Sequence, residues 1–385
     1  MGRGLQGALS TLAVLVAVAL TACGGDDGPH RLLVGAVDDV VRSPDPAVAG
    51  ALLDEAAAAG LDAIAISSFW EPGLQAPTPE ELAVMRTVAA GAEARGLRLF
   101  VAVYHRGSAS TPLTEEARSQ FAAYAAALAR EVQGLDDLIV GNEPNLNRFW
   151  LPQFGPEGES LAPAAYALLL GQTYDAVKAA ADVRVWGGAT SPRGGDNPGG
   201  ARPTHSPTRF LEELGAAYRA SGRDAPLMDG YVHHPYPETS ATPVDLPHPL
   251  NATIGLADYG KLVELLGDAF DGTAQEGSGL PIVYGELGIE TEVPPEATAA
   301  YAGAEPARTV TPKEQAAAYR RALELAACQD TVEGILVFHV RDEPDLAGWQ
   351  SGVRTADGAP KASLEPFRQA AAAARAGDLD VRCEP

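Results

Sequence analysis

From Arg31 onward the chain alternates short β-branched or apolar runs with longer alanine-rich stretches whose apolar residues recur at helical spacing. The short runs fall at Leu32–Val37, Ala63–Ser67, Leu99–Tyr104, Asp137–Val140, Val183–Trp186, Gly230–Val232, Ile282–Tyr284 and Gly334–Phe338. Helical patterns follow them at Pro46–Ala59, Pro79–Ala94, Glu115–Val132, Pro163–Ala181, Pro207–Ser221, Leu256–Phe270, Lys313–Cys328 and Leu364–Ala376. Asp45-Pro46, Thr78-Pro79 and Thr311-Pro312 mark helix starts: the polar side chain caps the first turn and the proline's fixed φ suits it. Alternation of this kind builds a parallel sheet from βα units. Eight units in one chain predict a single closed (β/α)8 (TIM) barrel over residues 31–385, and no Gly-x-Gly-x-x-Gly follows the first strand to favour an open doubly wound sheet.

The segments after strands four to eight are long and rich in Gly and Pro: Leu146–Ala162, Ser191–Ser206, Pro237–Asn251, Gly288–Val310 and Arg341–Ala359. In a barrel these βα loops surround the C-terminal strand ends, where active sites lie, so long ones predict a walled cleft. The competing reading is surface decoration.

The N-terminus carries Arg3 and then an apolar run, Ala8–Leu20, too short to span a bilayer comfortably; it reads as a signal peptide over residues 1–22 and stands outside the fold. Leu20-Thr21-Ala22-Cys23 followed by Gly24-Gly25-Asp26-Asp27 resembles the bacterial lipoprotein signal, which implies acylation of Cys23 and a tether over residues 23–30. The chain is thus expected on the outer face of the bacterial cell membrane, held only by that lipid; an ordinary secretory peptide would instead leave it soluble and exported. Cys328 and Cys383 remain as an even pair in a disulfide-permissive compartment and are expected to be bonded. The formal net charge of -23 repels phosphate backbones, which argues against a nucleic-acid partner.

The sharpest motif is Asp137-Leu138-Ile139-Val140-Gly141-Asn142-Glu143-Pro144, a strand running into an Asn-Glu pair at its C-terminal end. Pro281-Ile282-Val283-Tyr284-Gly285-Glu286 does the same at the seventh strand. Asn-Glu-Pro at the end of strand four and a glutamate at the end of strand seven resemble the acid/base and nucleophile positions of the clan A retaining glycoside hydrolases, the group that includes families 5 and 39. The resemblance implies that Glu143 is the general acid/base and Glu286 the nucleophile. It also implies a carbohydrate substrate cleaved at a β-glycosidic bond, and no cofactor or metal. Two carboxyls are needed because one lends a proton to the leaving oxygen while the other attacks; retaining enzymes hold them ~5–5.5 Å apart. A negative Glu286 would help keep Glu143 protonated until attack neutralises it.

The same resemblance places Asn142 on the sugar 2-hydroxyl, and His234 and Tyr236, from Tyr231-Val232-His233-His234-Pro235-Tyr236, beside the nucleophile or the substrate. Adjacent histidines also invite a metal reading, but ligands on one strand share a face only when spaced by two, so His233 is expected in the barrel wall. Trp70 and His105, ending strands two and three, are candidate sugar-binding residues, with packing beneath a loop as the alternative. Asp38 and Asp39 could bind hydroxyls or cap a turn. The clan's usual tryptophan at the end of strand eight is missing: Phe338-His339-Val340-Arg341 stands there, so His339 or the later Trp349 must form the sugar platform. Arg106 and Arg341 are the candidates for the arginine usual near the nucleophile. The chain is expected to act as a monomer. The rival reading from a different class is a glycan-binding lipoprotein that keeps the barrel without turnover.

Overall fold

The computed structural model describes residues 1–2 and 28–383. The apolar leader run and Cys23 lie outside the described residues. Eight parallel strands, β1 (Leu33–Val37), β2 (Ala63–Trp70), β3 (Arg98–His105), β4 (Asp137–Val140), β5 (Arg184–Thr190), β6 (Gly230–His233), β7 (Ile282–Leu287) and β8 (Val332–Phe338), pair in chain order and close into a barrel. The helices α1 (Pro46–Ala58), α2 (Pro79–Glu93), α3 (Glu115–Glu131), α4 (Ala162–Ala180), α5 (Pro207–Ser221), α6 (Tyr259–Phe270), α7 (Pro312–Ala326) and α8 (Leu364–Ala376) alternate with them. This is the (β/α)8 barrel that the pattern predicts.

The helix starts obey the local chemistry. Asp45, Thr78 and Thr311 each accept a backbone N–H of the first turn on the side chain, and a proline follows each. Thr311 and Glu314 form a reciprocal capping box. Strand β2 runs on to Trp70, beyond the predicted end at Ser67, because Ser68, Phe69 and Trp70 stay in register with Val103, Tyr104 and His105 of β3.

The core is divided by the sheet. Outward side chains pack under the helices, and a smaller inner cluster, among it Ala65, Phe100, Ile139, Trp186, Ala189, Val232 and Leu336, fills the barrel. Trp186 occupies the lower interior, and its indole N–H donates to Asp137 Oδ1 at 2.7 Å. Arg98 Nη2 donates to the same oxygen at 2.8 Å, so the inward carboxylate is paired. Gly230 is the partner that makes room, since a Cβ there would overlap the Trp186 ring. Above this plug the small or slender side chains Val37, Ala65, Ala102 and Ile139 floor a cavity at the C-terminal strand ends.

Two further ties hold the closing elements. Cys328, after α7, is disulfide-bonded to Cys383, after α8, with Cα atoms 5.1 Å apart. Lys361 is fully buried and donates to Asp342 Oδ1 (2.7 Å), Thr291 Oγ1 (2.7 Å) and the Gln350 carbonyl (3.0 Å). One ammonium thereby joins the loops after β7 and β8. Lys361→Met strands a buried carboxylate and is expected to destabilise the fold by about 3–5 kcal/mol in urea unfolding; Asp342→Asn in the same chain should restore most of the loss. Equal stability of the single and double variants would show that the pair is not coupled.

Candidate active site

Glu143 is aimed by a strained turn. Beyond β4, Gly141 has φ 87° and Glu143 itself φ 40°, a left-handed conformation that costs a non-glycine residue about 1–3 kcal/mol. Neighbouring hydrogen bonds hold it there. Its N–H donates to the Ala189 carbonyl at 2.8 Å, and Ala189 is itself at φ 47°. Buried Asn145 donates to the Ser191 and His205 carbonyls (3.2 and 3.1 Å) and accepts from Ser191 N–H at 2.9 Å. Of four non-glycine residues with positive φ among those described, Glu143, Ala189 and His339 (φ 73°) all line the cavity.

Glu286 reaches the same cavity by an irregularity. In β7, Ile282 and Tyr284 pack outward and Val283 inward, so strict alternation would turn Glu286 out. The pairing with β8 shifts register between Tyr284 and Leu287, and Gly285 and Glu286 both face in.

Tyr236 donates its hydroxyl to Glu286 Oε2 at 2.8 Å. His234 Nδ1 lies 3.3 Å from Glu143 Oε1 and 3.7 Å from Glu286 Oε2, so a single ring nitrogen addresses both carboxyls. Burial lowers the affinity of His234 for a proton, but the charges of Glu286 and Glu143 outweigh it and raise the imidazole above its ordinary value. Glu286 is raised as well: burial is the largest cause and the Glu143 charge adds to it, against His234 and the Tyr236 hydrogen bond. Glu143 and Glu286 keep 14% and 19% of their side chains exposed, enough to meet a ligand.

The cavity has a volume of about 450 Å³, a size suited to a small ligand. Asn142, His234, Tyr236 and Trp349 line it, together with both glutamates. His339 and Trp349, the two alternatives for the sugar platform, both line the cavity; the Trp349 ring lies 5.2 Å from Tyr236 and 5.3 Å from Phe338, centroid to centroid. Asp39 lines the cavity and accepts from Ser67 N–H at 2.7 Å, whereas buried Asp38 caps Val40 at 3.1 Å and accepts from Val340 N–H at 2.9 Å.

Two expected sugar-binding residues are elsewhere. Trp70 is fully buried on the outer face of β2, its N–H on the Leu74 carbonyl at 2.9 Å and its ring edge-on to Phe121. His105 is buried on the outer face of β3 against Trp150, with Nδ1 2.9 Å from the Gly107 carbonyl. The reason is parity: Ala65 and Ser67, and Ala102 and Tyr104, are the inward positions, so Trp70 and His105 point to the helices. Ser67 and Tyr104, hydrogen-bonded at 2.9 Å, line the cavity in their place. His233 lies in the barrel wall between Thr190 (2.9 Å) and the Ile254 carbonyl (2.8 Å). Arg106 stacks over Phe69 and Arg341 pairs with Glu55; the arginines that line the cavity are Arg148 and Arg193. Arg193, held by the Tyr236 and Pro237 carbonyls (2.9 and 3.2 Å), and Glu290 were not foreseen, because both sit in loops without periodic signal. Among the described residues, no three His, Cys, Asp or Glu side chains are arranged to hold a metal ion.

No protein-family model matches the chain, and no curated protein matches its sequence. Solved structures do share its fold. GH5_18 from Streptomyces cattleya in complex with GlcNAc is 16% identical, with TM-score 0.59 over 90% of this chain and 81% of that one. A GH5_18 variant from the same organism, in complex with Manβ1-4GlcNAc, is 16% identical with TM-score 0.60 over 92% and 83%. An exo-β-1,4-mannosidase from Opitutaceae bacterium strain TAV5 is 17% identical with TM-score 0.55 over 92% of this chain and 62% of that one. What these proteins and this chain share is the barrel.

The geometry brings two carboxyls and an imidazole together in one cavity, with Trp349 beside them. It leaves little slack at Gly285. A Cβ there would overlap Val232 Cγ1 and come within 3.1 Å of His234 Nε2. Gly285→Ala is therefore expected to displace Glu286 and cut turnover at least about 100-fold with a smaller effect on melting temperature. Turnover equal to the parent chain would refute this steric constraint.

Proposed function

We propose that the protein is a retaining glycosidase that cleaves a β-glycosidic bond by double displacement, with Glu143 as acid/base and Glu286 as nucleophile. The observation that carries this reading is the convergence of both carboxyls on His234 Nδ1, at 3.3 and 3.7 Å, inside the cavity at the barrel's C-terminal end. Ionised Glu286 attacks the anomeric carbon while Glu143 gives its proton to the departing oxygen. Tyr236 donates to Glu286 and so favours the ionised carboxyl. In the resulting ester Glu286 is neutral, and Glu143, now a carboxylate, takes a proton from the water that opens the ester. His234, whose proton affinity both carboxyls raise, stays within reach of each of them. Asn142 is assigned to the sugar 2-hydroxyl and Trp349 to the ring face. A β-mannoside such as Manβ1-4GlcNAc, the ligand of a structural neighbour, heads the substrate candidates. The same proposal puts the protein outside the cell, acylated at Cys23; palmitate label in the wild type and in Cys23→Ser alike would refute the anchor.

The test is hydrolysis of aryl β-glycosides, Manβ1-4GlcNAc and soluble β-glucans, mannans and xylans. Glu286→Ala is expected to lose about 10⁴-fold or more in kcat, and Glu143→Ala to be rescued by azide with a β-glycosyl azide as product. No turnover on any of these sugars, or turnover indifferent to both substitutions, would move the assignment to a glycan-binding protein.

The pH profile tests the roles separately. Because Glu286 must be ionised and is raised in the folded protein, kcat/KM should fall on the acid side at a higher pH than an ordinary glutamate would set. Tyr236→Phe removes a contact that lowers Glu286 and should move that limb further up. Glu143→Gln, read with a dinitrophenyl glycoside that needs no proton, keeps Glu286 beside a neutral partner, as the protonated Glu143 is, and should leave that limb in place. A limb that moves down in either variant would count against the assignment.

A further inference from the structure

Glu290 is a further carboxyl in the cavity, one that neither the mechanism nor the packing uses. Its main chain is fixed from two sides: the N–H donates to Ser240 Oγ at 2.9 Å, and the carbonyl accepts from Val310 N–H at 3.0 Å. The side chain is only 9% exposed, lines the cavity, and makes no hydrogen bond or ion pair with any described residue. Lys361, which holds the adjacent Thr291, is already committed to Asp342. Burial first, then the charges of Glu305 and Asp342, push Glu290 up to about 7. An almost buried carboxyl without a partner costs stability, and nearly all such groups in folded proteins are satisfied. The Glu290 oxygens therefore take their partners from whatever fills the cavity, water or a ligand.

Three features select its chemistry. Gly288, between Glu286 and Glu290, has no side chain, and a Cβ there would come 3.1 Å from the Trp349 ring, so the ring packs on the segment that carries Glu290, and both residues line the cavity. Asp39 and Glu238 also line it, so with Glu143, Glu286 and Glu290 its carboxyls outnumber the two lining arginines, Arg148 and Arg193, a balance that disfavours anionic sugars. A carboxyl that titrates near neutrality both donates and accepts, which suits hydroxyls better than an ammonium group. We infer, building on the glycosidase reading, that Glu290 binds neighbouring hydroxyls of a neutral pyranose lying against Trp349 and so helps select the sugar.

The test pairs protein and substrate deletions. For the best aryl β-glycoside found, and for its monodeoxy analogues, KM and kcat are measured in wild type, Glu290→Gln and Glu290→Ala. Glu290→Ala is expected to lower kcat/KM about 10-fold or more, mostly through KM, and Glu290→Gln to cost less. At least one deoxy analogue that wild type penalises should lose that penalty in Glu290→Ala. Equal penalties in both proteins for every analogue would mean that Glu290 only supports the loop, and a Glu290→Gln loss as large as that of Glu290→Ala would mean recognition of charge; either overturns the inference while leaving turnover, and the glycosidase reading, intact. Absence of turnover in wild type overturns both.

Discussion

The ladder between β1 and β8, paired from Leu33–Gly334 to Val37–Phe338, is the interaction on which the site depends. An open sheet would leave strands four and seven in one plane; closure makes their C-terminal ends face one another over a common interior. The interior below is filled by Trp186, Phe100 and the paired Asp137, so a ligand can enter from the upper end alone. Gly230 allows this filling by leaving space for the Trp186 ring.

On that frame the site concentrates unfavourable features. Glu143, Ala189 and His339 hold left-handed backbone, and two carboxyls share a small cavity with a buried imidazole. Each is tolerable because something rigid opposes it: the Ala189 carbonyl and Asn145 hold the turn, and His234 stands between the charges. Strain and buried charge of this kind are spent where chemistry is done. The electrostatics are reciprocal, since the carboxylates that raise His234 are the groups whose repulsion it reduces.

The walls are a second system. The loops after β7 and β8 are bridged at Ala302–Asp345 and joined by the buried Lys361–Asp342 pair. Thr291 and Gln350, both held by Lys361, are the chain neighbours of Glu290 and Trp349, so this part of the cavity wall lies next to the clamp. The cavity is thereby built from two sources: β4, β6 and β7 lead into Glu143, His234 and Glu286, and irregular loops carry Glu290 and Trp349.

The amino-acid sequence by itself determined the number and order of the elements, the helix caps at Asp45, Thr78 and Thr311, and the pair Glu143 and Glu286, because period, capping chemistry and strand-end position are local properties. Period-two parity was also legible: Ala65 with Ser67, and Ala102 with Tyr104, already implied that Trp70 and His105 face the helices. Position at a strand end is a weaker guide than parity, and those two residues show why. At β7 parity fails, and only the register shift against β8 turns Glu286 inward. The fixed loops that bring Glu290 and Arg193 to the cavity, and the return of Trp349 over Gly288 into its lining, were likewise decided by tertiary structure. The physical reason is the same in each case: where a chain leaves regular hydrogen bonding, the direction of a side chain is set by whatever distant segment completes its backbone and fills the space beside it.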